Sequence, residues 1–247
     1  MGRYARVVLK VSGQALAGAE GFGLSSSALD HVAGEILSVH ELGVQAAVMV
    51  GGGNIFRGSV AEEWGIDRAE ADSVGMLGTA INAVILRGAI KAKSRGEVDV
   101  RVMTALPLEA VAEPYIRLRA IRHLEKGRIV VFGCGIGQPY VTTDYPAVQR
   151  ALEIDAEAIL AAKNGVDAVY SADPKLDPAA VRYRTLGYDD VIGQNLKVMD
   201  QSAFILARDF GLAIHVFDLD LPGQMRAVCQ GENPGTLIAP GVACTAA

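Results

Sequence analysis

The sequence predicts a three-layer α/β/α sandwich with a mostly parallel central sheet. Short runs rich in Val and Ile alternate along the chain with segments of helical periodicity, which is typical of parallel strands joined by crossover helices. The chain has 247 residues, of which 51% are hydrophobic, so it can bury a large core. No linker-like segment or internal repeat divides it. We therefore expect one domain over residues 1–247, with 239–247 as a flexible tail.

Each predicted strand is a short apolar run, and each predicted helix repeats apolar residues every three or four positions. The strand runs are 5–11, 44–50, 98–103, 128–132 and 213–217. The first crossover helix has Ser27 as its candidate N-cap and Gly43 just beyond its end. Further helices are expected over 69–93, 117–126, 146–154 and 200–210.

Composition and charge argue against several classes of protein. The formal net charge of -5 lacks the basic excess that is typical of nucleic-acid-binding proteins, so no nucleic-acid partner is expected. Cys134, Cys229 and Cys244 are odd in number and form no C-x-x-C pair, which fits a reducing compartment. The four histidines lie outside any zinc-ligand spacing, so no metal-ligating residues are predicted.

No segment resembles a signal peptide or a membrane span. The N-terminal region lacks the apolar stretch that a signal peptide needs. The longest uncharged apolar run, 74–86, is shorter than the about 20 residues that span a bilayer, so we interpret it as a buried helix. We therefore expect a cytoplasmic protein without a membrane partner.

Two of the predicted strands run directly into glycine clusters. Glycines 51–53 follow the strand at 44–50, and Gly133, Gly135 and Gly137 follow the strand at 128–132. Because the carboxyl ends of parallel strands meet at one edge of a sheet, both clusters should face one site. Glycine lets backbone N–H groups approach an anion closely, so phosphate is the expected ligand. The alternative is that each cluster is merely a tight turn.

The familiar nucleotide-binding motifs are missing. No Gly-Lys dipeptide occurs in the chain, which excludes the P-loop motif. The dinucleotide pattern G-x-G-x-x-G fails because Gln138 stands where a third glycine should follow Gly133 and Gly135. The sequence therefore argues against both a P-loop kinase and a Rossmann dehydrogenase.

Lys10 closes the first predicted strand, next to Ser12 and Gly13, so its ammonium group should emerge beside a glycine turn. Phosphoryl transfer depends mainly on positioning and on positive charge near the transferring oxygens. Lys10 suits that role, and the alternative is a solvated lysine at a strand end.

Five motifs then occur in a characteristic order. They are LKVSGQAL at 9–16, GGGNIFRG at 51–58, VTTD at 141–144, VDAVYSADP at 166–174 and LKVMD at 196–200. In this order they resemble the bacterial UMP kinase family of the amino acid kinase superfamily, and the similarity runs from about residue 6 to 238. The resemblance implies the amino acid kinase fold, with transfer of the γ-phosphoryl group of ATP to UMP in pyrimidine nucleotide biosynthesis. It further implies a Mg²⁺ requirement and a homohexamer.

The same resemblance assigns roles to individual residues. The implied catalytic residues are Lys10, Arg57, Asp144 and Asp200. ATP is expected at Lys10, Val11, Ser12, Gly13, Gly53, Arg57, Asn164, Tyr170 and Asp173. UMP is expected at Gly52, Asp72, Ile136, Gly137, Gln138, Pro139, Tyr140, Val141, Thr142 and Thr143. Asp72 matches the ribose carboxylate, and Asp144 and Asp200 would orient the lysine or bear on the magnesium–phosphate assembly. GTP or UTP effectors are implied near 20–23, Arg101 and Arg128.

The sequence departs from the family pattern at several points. Gln14 stands where glutamate is common, Asp218 stands where asparagine is usual, and the acceptor loop reads Ile136-Gly137-Gln138 instead of a more polar version. These departures affect the recognition of the acceptor base. A paralogous kinase acting on CMP or on another small phosphate or carboxylate acceptor remains an alternative, as does a non-catalytic nucleotide-binding regulator.

Overall fold

The computed structural model of the protein describes residues 3–247, except the side chains of Ser59 and Glu62. An eleven-stranded sheet forms the centre, and helices cover both of its faces. The predicted three-layer arrangement with a mostly parallel sheet is thereby confirmed.

The strands and helices have the following bounds. The strands are β1 Arg6–Val11, β2 Gln45–Val50, β3 Val100–Thr104, β4 Glu113–Pro114, β5 Ile129–Gly133, β6 Ala158–Lys163, β7 Val169–Tyr170, β8 Arg182–Leu186, β9 Ala213–Asp218, β10 Thr236–Ile238 and β11 Thr245–Ala246. The helices are α1 Gln14–Ala17, α2 Ser26–His40, α3 Gly58–Glu63, α4 Arg68–Lys93, α5 Arg117–Glu125, α6 Asp144–Glu153, α7 Tyr188–Gly193, α8 Gln201–Asp209 and α9 Gln224–Gln230.

The strand order is β11-β8-β10-β9-β6-β1-β2-β5-β3-β4, and β7 pairs with β8 outside this path. The run from β9 to β4 is parallel throughout, whereas β10 is antiparallel to β9, and β7 and β11 are antiparallel to β8. Buried residues of α2, α4 and α9 pack on one face, and those of α5, α6, α7 and α8 pack on the other. The parallel strands therefore end at one edge, with β1 between β6 and β2.

Several local expectations are corrected. Ser25, not Ser27, caps α2, because its hydroxyl accepts the backbone N–H of Ala28. Strand β6 was not predicted, because its sequence AILAAK consists mainly of good helix formers. Within the expected tail at 239–247, Thr245 and Ala246 pair with β8.

Helix α4 contains the apolar run at 74–86, and that run is buried on one side only. Among residues 3–247, α4 is the one helix long and apolar enough to cross a membrane by length and composition. In the structure it packs against α2, β3 and β5. Val74, Leu77 and Ile81 nevertheless remain 40%, 45% and 47% exposed, so the run is not the fully buried helix that we expected.

Candidate active site

A buried lysine–aspartate pair lies at the carboxyl end of β1. The Lys10 Nζ is 2.6 Å from Asp144 Oδ1, and the two residues are only 6% and 9% exposed. Burial alone would raise the pKa of Asp144, but the nearby charges of Lys10 and Lys163 hold that pKa below its usual value. Asp144 is therefore an anion that orients Lys10.

Lys163 is a second lysine at this point, and the sequence analysis missed it. Lys10 and Ala161 are register partners in β1 and β6, so Lys163, two residues further on, shares a face of the sheet with Lys10. Burial and the charge of Lys10 lower the pKa of Lys163 to about 8, although Asp144 and Asp200 oppose the shift. Two cations thus lie near two carboxylates at adjacent strand ends.

Asp200 joins this cluster from the start of α8. Its backbone N–H donates to Asp144 Oδ2 at 3.2 Å, and its carboxylate accepts the hydroxyl of Thr142 at 2.5 Å. The start of α6 and the start of α8 are therefore connected through side chains. This connection brings two of the predicted catalytic residues, Asp144 and Asp200, into one place.

The glycine turns after β1 and β2 pack directly against each other. A Cβ at Gly13 would lie 2.4 Å from Asn54 Oδ1, and one at Gly52 would lie 2.7 Å from Gly75 O, so neither position accepts a side chain without movement. The amides of Asn54 and Asn82 are buried and bond to each other, and Asn82 also donates to Gly51 O at 2.7 Å. This amide pair fixes the turn at 51–54.

A cavity of about 530 Å³ follows β6 on one side of this cluster. It is lined by 165–175 and 194–198, and it contains the predicted residues Tyr170 and Asp173. The Tyr170 hydroxyl donates to Asp167, and Asp173 is exposed. Asn164, next to the lining residue Gly165, accepts the Ser12 hydroxyl at 2.9 Å and donates to Asp220 at 3.0 Å. We call this space the donor cavity.

A second cavity of about 380 Å³ lies on the other side of β1, beyond β2 and β5. It is lined by predicted residues from both glycine clusters and from α4, which are Gly52, Gly53, Arg57, Asp72, Ile136, Gln138, Val141, Thr142 and Thr143. The described residues that line this cavity do not include Gly137, Pro139 and Tyr140, which were also predicted to bind UMP. We call this space the acceptor cavity.

Asp72 on α4 ties the acceptor loop, residues 134–143, to the helix. Both of its oxygens accept Arg68 Nε at 2.9 Å, and Oδ2 also accepts the backbone N–H of Tyr140 at 2.7 Å. Tyr140 adopts a φ of 65°, so a strained residue presents its amide to the carboxylate while its side chain is exposed. Arg68, which lines the acceptor cavity, was missed because an i,i+4 ion pair on a helix is usually a surface feature.

Arg57 connects the acceptor cavity to the loop after α1. Its Nε donates to Gly53 O at 3.1 Å, and its Nη2 donates to Gly21 O at 2.5 Å. The backbone N–H of Gly23 donates to Asn54 O at 2.8 Å, so the same loop also bonds to the glycine turn. Gly21 is therefore in direct contact with Arg57, which the sequence analysis expected at the phosphates.

A profile of the amino acid kinase family matches residues 5–218. Because this match covers most of the sequence, the chain belongs to the amino acid kinase family. Among similar proteins, the uridylate kinase of Frankia alni is 59% identical over 238 residues, which are 96% of this chain and 92% of that one.

Solved structures give a matching result. The UMP kinase from Bacillus anthracis superposes with a TM-score of 0.95 at 55% identity, covering 99% of both chains. The uridylate kinase from Archaeoglobus fulgidus superposes with a TM-score of 0.72 at 31% identity, covering 94% of this chain and 99% of that one.

Proposed function

We infer that the protein is a UMP kinase, which transfers the γ-phosphoryl group of ATP to UMP and yields UDP. The observation that carries this conclusion is the position of the Lys10–Asp144 pair at the end of β1. In the sheet, β1 lies between β6, which leads to the donor cavity, and β2, which leads to the acceptor cavity. A phosphotransferase needs donor and acceptor side by side, with positive charge where the phosphoryl group passes. The close relatives named uridylate kinase support the same acceptor.

The donor cavity would hold ATP, with its phosphates directed toward the end of β1. The backbone from Val11 to Gly13 and the turn at Gly53 offer N–H groups to the phosphates. Tyr170 and Asp173 would line the space for the nucleoside, and Asn164 would hold Ser12 in place. Lys10 and Arg57 would neutralise the charge that develops on the transferring group.

The acceptor cavity would hold UMP. Asp72 is the one carboxylate among the described residues that line this cavity, so it is the group available to accept the ribose hydroxyls. Gly52 and Thr143 would contact the nucleotide, and the acceptor loop would contact the base. Since UMP arrives as a phosphate dianion, Arg57 at this cavity also supplies the opposing charge.

Magnesium would accompany the ATP phosphates. Within residues 3–247, no group of three or more His, Cys, Asp and Glu side chains is arranged to hold a metal ion. Mg²⁺ usually takes one or two carboxylates and completes its shell with phosphate oxygens and water, so the adjacent carboxylates of Asp144 and Asp200 fit that requirement. Its charge would help Lys10 to neutralise the phosphates.

The acceptor assignment is tested by comparing UMP, CMP, dUMP, AMP and GMP in a coupled assay of ADP release, with kcat/KM as the measure. We expect UMP to be the best acceptor. Reactions without the acceptor and without magnesium are the controls. A preference for CMP, or transfer to none of the five while ATP still binds, would contradict the assignment.

A specific observation favours one alternative acceptor. Gln138 lines the acceptor cavity, and its side-chain amide can present either its oxygen or its nitrogen to a base. A CMP kinase is therefore the second candidate, and the same five-nucleotide comparison separates the two. A non-catalytic regulator would bind ATP without releasing ADP.

We further propose effector control, self-association and a role in pyrimidine nucleotide biosynthesis in the cytoplasm. The contact of Arg57 with Gly21 supports a route from an effector loop to the phosphates, so GTP or UTP should change the rate. The exposed apolar row of Val74, Leu77 and Ile81 supports a homohexamer through α4. A rate that does not change on titration with GTP and UTP would contradict effector control. A monomer by mass measurement in solution would contradict self-association.

A further inference from the structure

Arg150 is a buried arginine behind the acceptor loop. It lies on α6, and its side chain is only 7% exposed. Its Nη1 is 2.6 Å from Glu153 Oε2, and its Nη2 donates to the backbone carbonyl of Gly135 at 3.2 Å. The guanidinium carbon also lies 3.6 Å from the centroid of the Tyr115 ring. One side chain thus connects α6, the segment after β4 and the acceptor loop.

The partners of Arg150 are themselves held in place. The Tyr115 hydroxyl donates to Glu153 Oε2 at 2.5 Å, and its ring packs edge-on against Phe132 with centroids 5.5 Å apart. Gln149 donates to the other oxygen of Glu153 at 2.9 Å. Burial would raise the pKa of Glu153, but the hydrogen bonds from Tyr115 and Arg150 hold it below its usual value. The guanidinium is therefore fixed by an ion pair, by a ring and by a carbonyl.

The bond to Gly135 fixes one peptide plane of the acceptor loop. In a trans peptide the C=O and the following N–H point in opposite directions, so a Gly135 carbonyl turned toward Arg150 turns the Ile136 N–H away from it. Ile136 lines the acceptor cavity. Within the described chain, that N–H donates to no backbone or side-chain oxygen. It is a donor without a protein partner, on a residue that lines the acceptor cavity.

We propose that Arg150 is a positioning residue for the acceptor nucleotide, because it orients the Gly135–Ile136 peptide so that the Ile136 N–H donates to an oxygen of that nucleotide. This inference rests on the proposed function. Arg150 contacts no substrate in this role, and it acts through the loop. Its loss should weaken acceptor binding and leave the donor side unchanged.

The test uses the full-length enzyme with two substitutions. Arg150→Lys keeps a cation beside Glu153 but lacks the planar fork that reaches Gly135 and the Tyr115 ring together, and Arg150→Met removes the charge. We expect KM for UMP to rise about tenfold in Arg150→Lys and further in Arg150→Met, while kcat and KM for ATP stay within about twofold. Arg122→Met, which changes an arginine on the surface of α5, is the matched control and should leave every constant unchanged.

Calorimetric titration with UMP and thermal melting complete the experiment. A tenfold weaker binding of UMP in a lysine variant that still melts cooperatively supports the proposal. Equal changes in both KM values, or an unchanged KM for UMP in both variants, would overturn it. If the wild-type enzyme uses CMP instead, the KM of each variant is measured with CMP and compared with that of the wild-type enzyme. A wrong acceptor and a wrong role for Arg150 therefore give different results.

Discussion

The acceptor loop and the donor segment at 171–175 differ in how they are held. The acceptor loop is bonded to distant parts of the chain: Cys134 N–H donates to Thr79, Tyr140 N–H donates to Asp72, and Gly135 O accepts from Arg150. In the donor segment, Ser171 exchanges two hydrogen bonds with Val181 at one end. Beyond it, Lys175 N–H donates to Asp173 only two residues away, and residues 171–175 are exposed. The acceptor side is therefore arranged before the substrate arrives, whereas the donor side can adapt.

This difference predicts where selectivity resides. A site whose polar groups are fixed rejects analogues that leave those groups without partners, and an exposed segment with local bonds tolerates variation. We expect strong discrimination among acceptors and weaker discrimination among donors.

Lys10→Met should cause the largest loss, because it removes the cation that lies between both cavities. We expect kcat to fall by about 100-fold or more, which corresponds to about 3 kcal/mol of transition-state stabilisation. Steady-state kinetics with UMP and ATP measures it, and Lys126→Met on an exposed turn is the control. Near-normal turnover would show that the role given to Lys10 is wrong.

Asp72→Ala should mainly remove discrimination between UMP and dUMP. The wild-type enzyme should favour UMP because dUMP leaves a carboxylate without one of its donors, at a cost of about 1–3 kcal/mol. In the variant we expect the ratio of the two kcat/KM values to approach one. Glu70→Ala, on an exposed part of α4, should retain the ratio, and a retained ratio in Asp72→Ala would refute the ribose contact.

Lys163→Met should lower kcat by about tenfold, less than Lys10→Met, because Lys163 supplies a second cation to the same cluster. With its pKa near 8, the Lys163 side chain is mostly protonated at pH 7. Lys163→Arg should restore part of the rate. A kcat equal to that of the wild-type enzyme in Lys163→Met would confine its role to packing.

Tyr170→Ala should have the smallest effect, because the donor segment that follows Tyr170 can adjust around the nucleoside. We expect KM for ATP to rise about threefold, with KM for UMP unchanged. A loss of 100-fold would mean that the donor side is as rigid as the acceptor side. The acceptor loop and the donor segment would then not differ in rigidity.

The sequence was sufficient to predict the alternating strands and helices and the two glycine turns that form the site. It missed β6, and with it Lys163, because Ala, Leu and Lys favour helix, and the central position between β9 and β1 overrides that preference. Arg150 was missed because an arginine on a helix is usually solvated, although its spacing of three residues from the buried Ala147 places both on one face of α6. Gly137, Pro139 and Tyr140 were expected at the acceptor cavity from the resemblance, but Tyr140 contributes a backbone bond to Asp72 instead.

The two cavities are separated along the chain by β6, just as β1 lies between their strands in the sheet. The described residues that line the acceptor cavity lie between 52 and 146, and those that line the donor cavity lie between 165 and 198. Recombination or engineering can therefore exchange the block 52–146 and alter which molecule receives the phosphate, provided that Gly53, Arg57 and Asp144 are retained for the ATP phosphates and for Lys10. A hybrid that joins the first block of a relative to the second block of this chain should inherit the acceptor of the relative.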